Sequence, residues 1–214
     1  MKKPVILIPL ALLIVAALAC GSGTTDDGGA PVLYRDSFSD SDSGWCVDSD
    51  ATSSLDYASD EYLFEINDTE WFVWCNPDED FTGIHVEVTA RNVNNTPDTV
   101  FGVMCAYQAD TDDFYYLGIT SQGDYTIRRY EDGEDDILAE DVSDDITTEA
   151  ASYQLGADCS GGRLVLYVDG VEIASAEDDT YSSGDIGLFA WTGDEVPAEI
   201  RYDDIVVTSL AADE

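Results

Sequence analysis

The sequence predicts an all-β, antiparallel sandwich, and three observations predict it. Short segments rich in β-branched and aromatic residues recur along the chain, most of them alternate apolar with polar positions, and turn residues separate them at short intervals. From Val32 to Leu210 no sustained helical periodicity, composition break or long linker interrupts the pattern. One domain of roughly 180 residues is within the size range of a single sandwich core.

The strand signals run in order through "YLFEI" (62–66), "EWFVW" (70–74), "IHVEVTARNV" (84–93), "VFGVMCAYQ" (100–108), "DFYYLGIT" (113–120) and "DYTIRRY" (124–130). They continue through "SYQLGADC" (152–159), "RLVLYVDG" (163–170), "VEIASAE" (171–177), "DIGLFAW" (185–191) and "IRYDDIVVT" (200–208). In the third of these Ile84, Val86 and Val88 share one face while His85, Glu87 and Thr89 share the other, so one face is buried and the other wet. Asp169-Gly170 is a two-residue hairpin signal, and Asp132-Gly133 a second with a slightly longer loop. The acidic stretch 131–152 places Ile137, Leu138, Val142 and Ile146 at roughly helical spacing. Its Asp and Thr content and its flanking strands favour instead a short strand near Ile137 followed by a solvated loop. The sum is about eleven to thirteen strands.

The chain opens "MKKPVILIPLALLIVAALACGSG": two lysines, an apolar run from Pro4 to Ala19, then Cys20 and small residues. That is the layout of a secretory signal, and the run is shorter than the ~20 residues that span a bilayer. Ala17-Leu18-Ala19-Cys20 resembles a bacterial lipoprotein lipobox, with Ala17 where Leu is usual. It implies cleavage before Cys20 and lipidation of that residue, hence an extracytoplasmic, membrane-anchored lipoprotein at the cell surface. The expected organisation is a signal peptide (1–19), a flexible lipid-anchored linker (20–31), the sandwich (32–210) and an acidic tail (211–214).

Removal of the leader takes Lys2 and Lys3 with it and leaves six arginines against 46 acidic residues, a formal charge of −40. That field excludes nucleic-acid binding through phosphates. It repels itself at low salt, and it suits either a salt-rich habitat or a calcium-binding protein, which composition does not separate. Hydrophobic residues make up 44% of the chain and aromatic residues 11%, enough for a core and against disorder.

Four cysteines remain beyond Cys20: Cys46, Cys75, Cys105 and Cys159. In an exported chain an even number without Cys-x-x-Cys or a His cluster points to two disulfides. Three connectivities exist, and strand placement favours Cys46 with Cys75 and Cys105 with Cys159.

Several blocks carry a resemblance. Asp36, Phe38, Ser39 and Gly44-Trp45 form an opening motif. A hairpin at Tyr167 to Gly170, a turn at Ser183 to Leu188 and a closing strand at Tyr202 to Ile205 follow in order. Together they resemble the concanavalin A-like lectin/glucanase superfamily, in its laminin-G-like and 3-keto-disaccharide hydrolase-like forms, over about Tyr34 to Ser209. The resemblance implies a jelly roll of two curved sheets, one convex and one concave. It also implies a structural calcium where the first and last strands meet, around Asp36 and Asp203 or Asp204. Fold alone does not fix function.

The Glu-x-Asp-x-x-Glu strand of the superfamily's glucanases has no counterpart: in "FEIND" Glu65 and Asp68 fall on opposite faces. His85, the sole histidine, sits on a wet face with no Gly-x-Ser-x-Gly turn in the chain, and one histidine without free thiols argues against zinc. No catalytic residues are assigned. Sugar binding needs flat aromatic faces and a few polar readers. Alternation sends Tyr115 and Tyr116 to opposite sides, with Tyr115 in aliphatic company and therefore inward. Tyr116 is left for the concave side with Tyr107, Arg129 and Trp191 as companions, while Trp45, Trp71 and Trp74 are assigned to packing near the first disulfide. The expected function is a non-catalytic, lipid-anchored binding module for carbohydrate or another extracellular ligand. The alternatives are a glycan-active hydrolase of the same fold and a purely structural acidic envelope protein.

Overall fold

In the computed structural model the described residues are 30–210. The leader, Cys20, nearly all of the expected linker and the acidic tail lie outside them. The described residues form sixteen strands and no helix. One sheet contains β1 (Val32–Asp36), β2 (Asp48–Ser49), β3 (Ser53–Ala58), β4 (Glu61–Ile66), β7 (Ile84–Asn92), β12 (Tyr153–Ser160), β13 (Arg163–Val168), β14 (Val171–Glu177) and β16 (Ala198–Ser209). Its order is β14-β13-β12-β7-β16-β4-β3-β2, with β1 paired to the C-terminal part of β16. The other contains β5 (Phe72–Cys75), β6 (Asp80–Thr82), β8 (Val100–Gln108), β9 (Asp113–Ile119), β10 (Asp124–Glu131), β11 (Glu134–Val142) and β15 (Ser183–Trp191). Its order is β11-β10-β9-β8-β15-β5, with β6 also on β15. Every pairing is antiparallel.

The strand count exceeds expectation because β1, β2, β3 and β6 are short pieces with weak apolar signals; separately, the strand expected near Ile137, β11, is longer than a short strand. Asp169 and Gly170 have φ of 51° and 78°, and Asp132 and Gly133 have 53° and 83°, so each pair alone turns the chain between its strands. Both hairpins therefore use the tight, doubly left-handed turn that matches strand twist.

Alternation places the core. Val86, Val88 and Ala90 face inward with Leu155, Ala157, Leu164 and Leu166, and meet Phe101, Val103, Leu117, Ile127 and Leu188 from the other sheet. Two links cross this apolar layer. Cys105 in β8 is bonded to Cys159 in β12, so the pair faces across the sandwich and does not lie on neighbouring strands of one sheet. Tyr202 in β16 donates through its phenol to the Phe189 carbonyl (2.6 Å) and accepts from the Gly102 N–H (3.0 Å). The second disulfide, Cys46–Cys75, ties the segment before β2 to β5.

The tryptophans divide differently from expectation. Trp45 is buried against Phe38 and Tyr62 beside the Cys46–Cys75 link. Trp71, which precedes β5, and Trp74, which lies on that edge strand, are exposed.

Candidate functional site

On the outer face of the second sheet the side chains form an aromatic cluster separate from the core. Alternation in β15 turns Phe189 and Trp191 outward while Leu188 and Ala190 pack inward. In register, Phe189 lies opposite Trp74 and Trp191 opposite Phe72, so β5 adds two more rings to the same face. From β9 come Phe114 and Tyr116, with Tyr130 of β10 opposite Phe114. Phe72 stacks on Phe189 (5.3 Å, 11°) and on Phe114 (5.9 Å, 23°), although two strands separate β5 from β9. Flat strands would hold those backbones roughly 14 Å apart at ~4.8 Å per step. The rings therefore converge over the middle of the sheet.

Glycines make this convergence possible. Gly102 and Gly118 face each other across β8 and β9, where a Cβ at 118 would stand 2.7 Å from the Phe189 ring and one at 102 would strike the Leu117 carbonyl. The absent side chains leave room for Phe189 over the strand pair, where it is fully buried beneath Phe72 and Tyr116.

On this face is a cavity of about 230 Å³ lined by Phe72, Trp74, Phe114, Tyr116, Tyr130, Trp191 and Asp135. Tyr116 donates to Asp135 Oδ1 (2.8 Å), and Arg128 donates through Nη1 to Asp135 Oδ2 (2.6 Å) and through Nη2 to Glu140 (2.6 Å). The Arg128 guanidinium also lies 5.6 Å from the Trp191 ring centre, a cation–π distance. Burial, reinforced by the facing Asp135 carboxylate, pushes the Tyr116 phenol far above its usual range, so it remains a neutral donor. Of the six rings Phe114, stacked on Phe72 and Tyr130, and Tyr116 are almost fully buried, while Trp74 is exposed; Trp74, Trp191 and Tyr130 carry N–H and O–H donors on their edges.

The expected ligand residues are distributed as follows. Tyr116 and Trp191 line the cavity together, with Tyr116 forming its lower wall at 3% exposure. Tyr107 stands beside it, its ring 6.2 Å from Phe114 and its hydroxyl on Asp112 (2.5 Å). Strict alternation would put Tyr107 on the same side as Cys105. A β-bulge at Ala106 (φ 54°), where the register with β9 shifts, turns it to the aromatic face. Arg129 is on the other face, opposite Tyr115, and clasps Asp178 (2.7 Å) and Asp136 (2.6 Å). Tyr115 donates to the same Asp178 (2.5 Å), so this group braces the edge of the sandwich. The cation on the aromatic face is Arg128, which pairs with Tyr116 in register. Phe72, Trp74, Phe114 and Tyr130 had not been assigned to a site. Val73 and Cys75 pointing inward was the available signal for Phe72 and Trp74.

Asp36, expected at a calcium site, spends its carboxylate on the Phe38 N–H (2.8 Å) and the Ser43 hydroxyl (2.5 Å). Asp203 accepts from the Asp204 N–H at a bulge of β16, where Asp204 has φ 51°. Among the described residues no three metal-ligating side chains converge, so a calcium ion at these aspartates would need main-chain oxygens to complete its ligand set.

Two groups bear on catalysis. Asp185 is buried, which raises its carboxyl above the usual range, but its oxygens receive Asn76 Nδ2 (2.6 Å) and the Ile186 N–H (2.7 Å) away from the cavity. His85 lies on the outer face of the opposite sheet. Its Nδ1 is 2.6 Å from Asp158, whose second oxygen accepts from Tyr167 (2.8 Å). That hydrogen bond raises the imidazole above its ordinary range against the opposing effect of burial. Asp135 is the one carboxylate lining the aromatic cavity among the described residues.

No family model and no curated protein matches the chain. Solved structures do. A Bacillus subtilis protein of unknown function with a galectin-like fold superposes with a TM-score of 0.66 at 16% identity, over 85% of this chain and 96% of its own. The carbohydrate-binding module CBM66 from Bacillus subtilis gives 0.64 at 15% identity, over 78% and 96%. The Bacillus licheniformis β-glucanase gives 0.63 at 13%, over 86% and 100%. At these identities the likeness establishes the architecture, an antiparallel jelly-roll sandwich of two sheets.

Proposed function

We propose that this chain is a non-catalytic carbohydrate-binding module whose ligand sits in the aromatic cavity of the second sheet. The observation that carries the reading is the convergence of Phe72, Trp74, Phe114, Tyr116, Tyr130 and Trp191 around about 230 Å³ of open space. Flat rings stack on the C–H faces of a sugar, and edge donors read its hydroxyls. Hydrolysis of a glycosidic bond by the usual route takes two carboxyl groups flanking it, and this lining offers Asp135 alone, already bonded to Tyr116 and Arg128. Jelly rolls that superpose on the chain include one protein titled a carbohydrate-binding module, which supports the same reading. In this proposal Cys20 is lipidated and holds the module on the outside of the cell membrane through the 20–31 linker.

A glycan array probed with the full-length protein in neutral detergent, beside Trp74→Ala, tests the site. Trp74 is exposed on an edge strand, so its truncation is expected to spare the fold and to lower affinity by about 2 kcal/mol, a loss of tens of fold. Array binding that Trp74→Ala leaves intact would remove the site. Retention of a Cys20→Ser variant in the membrane fraction would remove the anchor.

A further inference from the structure

Resting on that reading, we infer that the aromatic cavity selects its sugar by charge: it takes a pyranose bearing a protonated amine in preference to the neutral N-acetylated form, and it excludes uronic acids. The lining is six aromatic rings and a single carboxylate, Asp135. The face of an aromatic ring is the negative part of its quadrupole, so the ring faces left open among these six, foremost that of the exposed Trp74, favour a cation and disfavour an anion. Trp191 already takes part in such a contact outside the cavity, where Arg128 rests 5.6 Å from its ring centre.

Arg128 is also the guanidinium that an acidic ligand would need, and it is committed. Its Nη1 and Nη2 go to Asp135 and Glu140 and its Nε to Thr126 (2.8 Å), so two carboxylates surround one positive charge. Arg129, next in sequence, is held on the opposite face by Asp178 and Asp136. A carboxylate entering the cavity would meet Asp135 without a free cationic partner. A protonated amine would meet aromatic rings and the Asp135 carboxylate. The whole chain, with 46 acidic residues against 8 basic ones, adds a long-range field that concentrates cations at its surface.

The experiment is isothermal titration of the full-length protein in neutral detergent with three disaccharides of matched length: glucosamine, N-acetylglucosamine and glucuronic acid dimers. Ionic strength is fixed and the pH keeps the amine protonated. The expected order is amine over acetamide by on the order of tenfold, the scale of a desolvated cation–π contact, with no measurable binding of the uronic acid. Trp74→Ala should weaken amine binding by tens of fold and Trp74→Phe should restore most of it. That outcome separates a contact in the cavity from diffuse attraction to an acidic surface. Equal binding of the amine and the uronic acid would overturn the charge inference while leaving the carbohydrate reading in place, as would failure of all three dimers when array ligands bind. Amine binding indifferent to Trp74→Ala would overturn it as well. Absence of any glycan on the array would remove both.

Discussion

Tyr202 and Phe189 are bonded across the sandwich: the phenol of one, rooted in β16, donates to the main-chain carbonyl of the other in β15 at 2.6 Å. The backbone that carries Phe189, the ring beneath Phe72 and Tyr116, is thereby fastened to the opposite sheet through the fully buried core. Tyr202→Phe keeps the ring and removes the hydroxyl, leaving the buried Gly102 N–H without the partner it has at 3.0 Å. The expected cost is about 1 to 3 kcal/mol in urea denaturation with disulfides intact. An unchanged midpoint would show that the inter-sheet bond does not contribute.

The Cys105–Cys159 link closes a loop with a sequence separation of 54 residues between the two sheets. In the chain-entropy account, replacing both residues by Ala should destabilise the protein by about 4 kcal/mol. Non-reducing peptide mapping should show Cys46 joined to Cys75 and Cys105 to Cys159, and any other pairing contradicts the strand arrangement.

His85 is the sole histidine, so it is the one side chain with an ordinary pKa between pH 6 and 8. Its folded pKa is raised, first by the hydrogen bond to Asp158, so its contribution to stability is full below the unfolded value of ~6.5. That contribution is lost as pH rises through the folded value. Melting temperature should therefore fall as pH climbs through the range just above 6.5, and His85→Gln should flatten that slope. A parent curve flat over this range would contradict the His85–Asp158 pairing. Asp158 acts in a separate window: burial would raise it, but the bonds from His85 and Tyr167 lower it overall, so its contribution is lost at acid pH.

Five of the arginines already bind carboxylates: Arg91 to Glu61, Arg128 to Asp135 and Glu140, Arg129 to Asp136 and Asp178, Arg163 to Glu172, and Arg201 to Glu61 and Glu199. The remaining acidic excess repels itself until salt screens it. Melting temperature should rise steadily with monovalent salt. Millimolar calcium on a constant high-salt background should add nothing, since Asp36 and Asp203 spend hydrogen-bonding capacity locally. A calcium-specific rise would show that main-chain oxygens complete a site there.

Period-two alternation carried the fold and part of the site. It separated Tyr115 from Tyr116 correctly, because Leu117 and Ile119 are unmistakably inward. The same rule applied to "DYTIRRY" turns Arg128 outward once Ile127 is taken as core, so the identity of the cation on the aromatic face was legible although Arg129 was the one assigned. It also groups Phe72 with Trp74 against Val73 and Cys75. Tyr107 was a different matter: its side is decided by the bulge at Ala106, an alanine with φ 54° that no local residue preference announces. The convergence of β5 rings onto β9 depends on glycines at 102 and 118 in two different strands. Their meaning appears only when the register sets them opposite one another.

The indole N–H resonances provide the most direct measurement of the central claim. The chain has four tryptophans: Trp74 and Trp191 line the cavity, Trp71 is exposed outside it, and Trp45 is buried near the first disulfide. Assigned NMR spectra recorded while a glycan chosen from the array is titrated should show the Trp74 and Trp191 signals shifting together and saturably, with Trp45 unmoved. Saturable binding that leaves Trp74 and Trp191 in place would contradict the assignment of the aromatic cavity as the ligand site.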